Sequence, residues 1–175
     1  MNRLSRRDFG RLIAGTSIMA AASGWKDAGN RSLIGGVQFG LQPFCYHDLA
    51  MTPDNRPTLV KRLVQNGLGM VELHATWVEP RFADPGVSLE EAREKQRAWR
   101  LTQPVDHYAA VKREFDQAGI TIFTYYVNIN DTYTDAEIDA VFAGAKMLGA
   151  RGCVGSQGLA LSKRIAAFPG KHGMS

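Results

Sequence analysis

The features by which many enzyme classes declare themselves are missing from this sequence. It holds only two cysteines, Cys45 and Cys153, and neither belongs to a C-x-x-C pair. Both lie in apolar, strand-like runs, where a free thiol packs like a small hydrophobe. A bridge between them would need a closeness that sequence does not give. No apolar run reaches the ~20 residues that span a bilayer as a helix; the stretch from Leu12 to Gly24 has 13. No G-x-G-x-x-G follows the first strand-like run, because Gly35-Gly36 precedes it, which disfavours a dinucleotide fold. There is no Walker loop, no H-E-x-x-H and no serine nucleophile elbow. A basic excess is also missing once the N-terminus is set aside. Of 21 basic and 17 acidic side chains, four arginines and one aspartate fall in residues 1–24, leaving 17 against 16. Electrostatics therefore give no support to a nucleic-acid partner.

What is there begins with Ser5-Arg6-Arg7-Asp8-Phe9, paired arginines followed by a polar spacer and a phenylalanine. Leu12 to Ala22 is uncharged and Ala-rich, and Ala20-Ala21-Ala22 offers a small-residue cleavage site. The segment resembles a twin-arginine signal peptide. It departs mildly from that pattern at Gly10 and Arg11, where an apolar residue and a lysine are usual. The resemblance implies that residues 1–24 are a signal, that the twin-arginine translocase is a partner, and that the protein is exported to the periplasm or beyond. Residues 25–35 read as a linker. Residues 36–175 are long enough for one domain with its own core.

Four strand-like runs alternate with amphipathic helices. The runs are 36–44, 70–74, 120–127 and 152–156; the third is rich in β-branched and aromatic residues. Between them, Leu59, Val60, Leu63 and Val64 form one helical stripe, and Tyr108, Val111, Phe115 and Ala118 a second. Thr134 and Glu137 form a capping box ahead of a third, made by Ile138, Val141, Phe142, Ala145 and Leu148. A fourth helix is expected over 159–168, ending at Pro169-Gly170. This alternation predicts βαβ units and a parallel sheet. The second unit carries an insertion, Thr76 to Pro104, with the charged stretch Ser88 to Arg100. It follows the C-terminal end of a strand, where α/β barrels place active-site loops. It reads either as a lid or substrate loop, or as a surface helix with a solvated charged face.

Four pieces in order then carry a family resemblance: Gly40-Leu41-Gln42-Pro43-Phe44, Gly69-Met70-Val71-Glu72-Leu73, Gln117-Ala118-Gly119-Ile120, and Ala145-Lys146-Met147-Leu148-Gly149-Ala150-Arg151. Over about residues 36–175 the chain resembles the sugar phosphate isomerase/epimerase family, the xylose-isomerase-like TIM barrels. The resemblance implies an α/β fold of (β/α)8 type. Such a barrel takes about 250 residues, so only about the first four βα units are expected here. It implies a divalent metal (Mn, Mg, Zn or Co) in the complete barrel and a sugar or keto-sugar substrate. The implied chemistry is metal-assisted proton transfer beside a carbonyl. The family's metal ligands and base come mostly from strands five to eight, so both are expected beyond Ser175, and this chain alone is expected to be inactive.

Candidate substrate-binding residues fall at strand ends. Glu72 and His74, two apart, share a face. Tyr126 and Asn128 suit hydrogen bonds to polyols. Gln42 and Phe44 end the first run, where an aromatic can stack on a sugar face or serve the core. Ser156 ends the fourth run and is placed to reach a hydroxyl or a phosphate. A second reading is a non-catalytic secreted carbohydrate-binding or degenerate barrel domain. A third, an endonuclease-like relative acting on abasic DNA, is disfavoured by the export signal and the near-neutral charge. A half-barrel exposes two sheet edges, so self-association through them is expected.

Overall fold

The computed structural model describes residues 32–102 and 104–174. The signal reading for residues 1–24, with the translocase and export it implies, lies outside them. So does most of the expected linker. Residues 32–35 of that linker form the start of a hairpin: β1 (Leu33–Ile34) pairs antiparallel with β2 (Val37–Gln38). Gly35 and Gly36 make the two-residue turn at φ 58° and 82°, a geometry that reverses the chain without a Cβ clash.

The hairpin changes the expected first strand. Only Val37–Gln38 of the 36–44 run is a strand, and it faces β1. Further on, Leu41 alone bridges the main sheet: its N–H donates to Met70 O and its carbonyl accepts from Glu72 N. Pro43 then opens a 3-10 turn, Pro43–Cys45. The ladder stops there because proline has no N–H to give.

The main sheet is β3 (Met70–His74), β4 (Thr121–Tyr126) and β5 (Gly152–Val154), all parallel and in chain order. The connections supply α1 (Arg56–Gln65), α2 (Leu89–Leu101), α3 (Val105–Gln117) and α4 (Asp135–Met147); α5 (Leu159–Ile165) and a single turn, α6 (Pro169–His172), follow β5. The fourth helix thus stops three residues short of Phe168, and Pro169 begins a further turn instead of ending one. Its fixed φ and missing N–H suit a first helical position.

The expected apolar stripes are the core. Leu59 and Leu63 of α1, Tyr108, Val111 and Phe115 of α3, and Ile138, Val141, Phe142 and Ala145 of α4 join Val71, Leu73, Ile122 and Tyr125 in one buried cluster. Each large side chain there contributes about 1.5–3 kcal/mol relative to exposure. The strand residues in that cluster all point to one side, so α1, α3 and α4 cover the same face of the sheet. On the other face Met70, Glu72 and His74 are half-buried. A register slip between Val71 and Glu72 leaves Phe123 as an extra residue in β4, 37% exposed. Among the described residues no helix is long and apolar enough to cross a membrane.

Candidate functional site

The residues at the C-terminal ends of β3 and β4 border a cleft of about 470 Å³. The parallel pairing puts His74 opposite Tyr126. Their rings stack at 4.5 Å and 21°. Thr76 turns the His74 ring: its N–H and hydroxyl both meet His74 Nδ1, at 3.3 and 2.9 Å. Burial depresses the His74 pKa, and the carboxylates of Glu72 and Glu79 only partly offset this. The cleft therefore favours a neutral imidazole. His74, Thr76 and Asn128 line it.

A second, shallower hollow of about 260 Å³ lies on the uncovered sheet face and holds Gln42 and Glu72. Gln42 Nε2 donates to Glu72 Oε1 at 2.9 Å, and Thr124 Oγ1 donates to Glu72 Oε2 at 3.1 Å. The structure thus brings Gln42 to Glu72 and His74 to Tyr126, with Asn128 beside His74 in the larger cleft. Phe44 and Ser156 join neither hollow. Phe44 is 60% exposed and meets the His47 ring edge-on. Ser156 is exposed beyond β5.

The insertion lines the larger cleft, and its helix keeps one charged face in solvent while the other turns inward. Ser88 Oγ caps α2 by accepting from Glu91 N. From α2, Gln96 and the arginines 93, 97 and 100 turn inward to two carboxylates the sequence reading did not single out for the site. Arg100 makes a fork to Glu79, its Nη2 2.6 Å from Oε2, and gives Nη1 to Glu137 Oε1 at 2.8 Å. Gln96 and the Tyr125 hydroxyl also donate to Glu79, at 2.7 and 2.9 Å. Arg93 and Arg97 donate to Glu137 Oε2. Glu79, Arg100 and Glu137 are 5%, 6% and 0% exposed. Burial opposes the Arg100 charge, but Glu79 beside it outweighs that and raises its pKa. Burial likewise works against ionised Glu137, and hydrogen bonds from Arg93 and Arg100 more than reverse it, so its carboxyl lies below the usual range. Burial also raises the Tyr125 pKa. This network forms one wall of the larger cleft.

Glu137 also corrects the capping box. Thr134 Oγ1 accepts from Glu137 N at 3.2 Å as expected, but the Glu137 carboxylate goes to the arginines. A sequence signal did exist: Arg93, Gln96, Arg97 and Arg100 recur at i, i+3, i+4 and i+7, a polar stripe at the spacing usually reserved for a core face.

The ligands of the metal implied by the family resemblance are expected from further strands, and these residues do not supply a set of their own. Among the described residues no three His, Cys, Asp or Glu side chains group closely enough to hold an ion. Glu72 and the His74 Nδ1 already have protein partners. Comparison with known proteins gave no match to a family, to a curated protein or to a solved structure.

Proposed function

We propose that this chain is the sugar-positioning part of an exported isomerase or epimerase of the (β/α)8 barrel type. The observation that carries the reading is that His74, stacked on Tyr126 and sharing the larger cleft with Asn128, and Glu72, paired with Gln42 in the second hollow, all belong to one parallel, sequentially ordered sheet with its helices on one side. Three strands in chain order with helices on one face fit the opening of such a barrel, and equally one half of a doubly wound sheet, so the barrel rests on the family resemblance as well. Neutral imidazole, phenol and amide groups can donate to or accept from sugar hydroxyls. In this reading the face bearing Glu72 is barrel interior, and the base and metal set belong to further βα units. No catalytic step is assigned to the residues present.

A non-catalytic carbohydrate-binding domain is the second reading, in which the polar groups at the strand ends bind a sugar and no proton transfer follows. Titrating the ¹⁵N-labelled full chain with neutral aldoses and ketoses tests both. Shifts confined to the ends of β3 and β4, and lost in Tyr126→Ala, support sugar positioning. Binding that is strong and indifferent to Mn²⁺ favours the non-catalytic domain, and no binding by any sugar overturns both.

A further inference from the structure

A helix held by apolar side chains keeps its place whatever the pH, because burial of hydrocarbon does not titrate. α1, α3 and α4 are held that way. α2 is not. Its inward side chains are Arg93, Gln96, Arg97 and Arg100. Leu89, at its start, is 87% exposed, and Leu101, at its end, is exposed too. Of its apolar side chains only Trp99, in the last turn, packs against the core, edge-on to the His107 ring at 5.3 Å. The last turn is tied a second time by Arg100, which forks to Glu79 and gives Nη1 to Glu137. The earlier turns hang on Gln96, on Arg93 and on Arg97. Both arginines donate to Glu137 Oε2, and Thr132 accepts from them through its hydroxyl and its carbonyl. The other groups around this network are the Tyr133 ring, 4.2 and 5.1 Å from Arg93 and Arg100, the Tyr125 hydroxyl on Glu79, Tyr108 near Glu79 and Arg100, and exposed Glu94, paired with Arg97. Glu137 is therefore the one buried counter-charge of Arg93 and Arg97 among the described residues. A charge left without its partner in a poor solvent is strongly destabilising. Moving the early turns of α2 into water relieves it, and no apolar stripe resists the move.

We propose that α2 is an acid-released strap: protonation of Glu137 frees residues 89–97 and opens the wall of the larger cleft that Leu89, Ala92, Arg93 and Gln96 form, while Trp99 and Arg100 keep the last turn in place as a hinge. Burial opposes ionised Glu137, but hydrogen bonds from Arg93 and Arg100 outweigh it and hold the carboxyl below its ordinary 4.5, so release lies below that pH. The device is independent of what the cleft binds. The test is amide hydrogen exchange, followed by NMR on the full chain from pH 7 to pH 3, with each rate compared to that of an unstructured chain at the same pH. The expected result is an interval below pH 4.5 in which residues 89–97 exchange as an unstructured chain does, while Val111, Phe115, Val141 and Phe142 stay at least about a hundredfold slower. Protection lost together in α2, α3 and α4, or α2 still protected at pH 3, overturns the strap. Arg93→Gln removes one charged bond to Glu137 and should raise the pH of release by about one unit. A release pH that does not move shows that Glu137 does not govern it and also overturns the strap. Should that variant not fold, Arg97→Gln, which removes the longer 3.4 Å bond, reads the same shift at smaller size.

Discussion

Glu137 is fully buried on the first turn of α4, and three arginines from α2 reach it. Removing one partner of a buried ion pair is far worse than never having had it, because the other charge is left in a poor solvent. Glu137→Gln should therefore destabilise by about 3–5 kcal/mol, read as a lower urea midpoint with an unchanged slope. Arginines 93 and 100 pull the folded pKa of Glu137 below that of the unfolded chain. A depressed carboxyl pKa contributes stability above the unfolded value, and that stability is lost as pH falls toward the folded one. Stability of the natural chain should drop below about pH 4.5, and the drop should be shallower in Glu137→Gln. A midpoint unmoved by the substitution would show that the network contributes nothing. His74 has the same sign for a different cause. Burial lowers its pKa from 6.5, so its contribution is present above pH 6.5 and fades as the ring is protonated. Its imidazole resonances should titrate below pH 6.5, and ligand binding in the cleft should weaken over the same interval. A midpoint at or above 6.5 refutes the lowering by burial.

At the scale of elements, α3 and α4 meet where Gly144 faces the Tyr108 ring. A Cβ built on Gly144 comes to 2.6 Å from Tyr108 Cζ. Tyr108 is 2% exposed and has nowhere to retreat. In an open helix, Gly→Ala stabilises by roughly 1 kcal/mol; here overpacking, typically about 1–3 kcal/mol, should win. Gly144→Ala is expected to lower the thermal midpoint, because the closest atom, Tyr108 Cζ, belongs to the buried ring itself. The helices that meet here were legible in sequence because Tyr108, Val111, Phe115, Ile138, Val141 and Phe142 repeat at the helical period and find their core by hydrophobicity alone. The first strand was not legible. Its composition is strand-like, but pairing depends on where Gly35-Gly36 turns the chain and Pro43 interrupts it. The role of α2 was hidden for another reason. A charged helix looks solvated until its partners are known, and Glu79 and Glu137 lie on separate elements that only tertiary folding brings to Arg100. The same limit applied at the cleft: alternation placed Glu72 and His74 on one face, whereas the outward course of Phe44 follows from the Pro43 turn.

The whole molecule has a lopsided sheet. Parallel sheets are ordinarily covered on both faces, yet here the helices pack on one, and Phe123 and Val154, each 37% exposed, stand outside that cover. β5 pairs only with β4 among the described residues, so its outer backbone groups have no strand beside them. An apolar face next to an open edge invites a further strand. In the barrel reading that strand comes from another βα unit; for this chain in isolation the source at hand is a second copy. Sedimentation of the chain should then show dimer increasing with concentration. Val154→Lys puts a charge on the edge strand, the device natural sheets use against such pairing. The Val154 carbonyl accepts from Val127 N of the larger cleft, a main-chain bond that the side-chain change leaves in place, so the sugar titration should survive it while the dimer constant weakens by about tenfold, near 1.4 kcal/mol. A chain that stays monomeric at every concentration, with or without the lysine, would rule out edge pairing. The open face of β3 and β4 would then have to be stable in water through the polar contacts of Gln42, Glu72 and Thr124 alone.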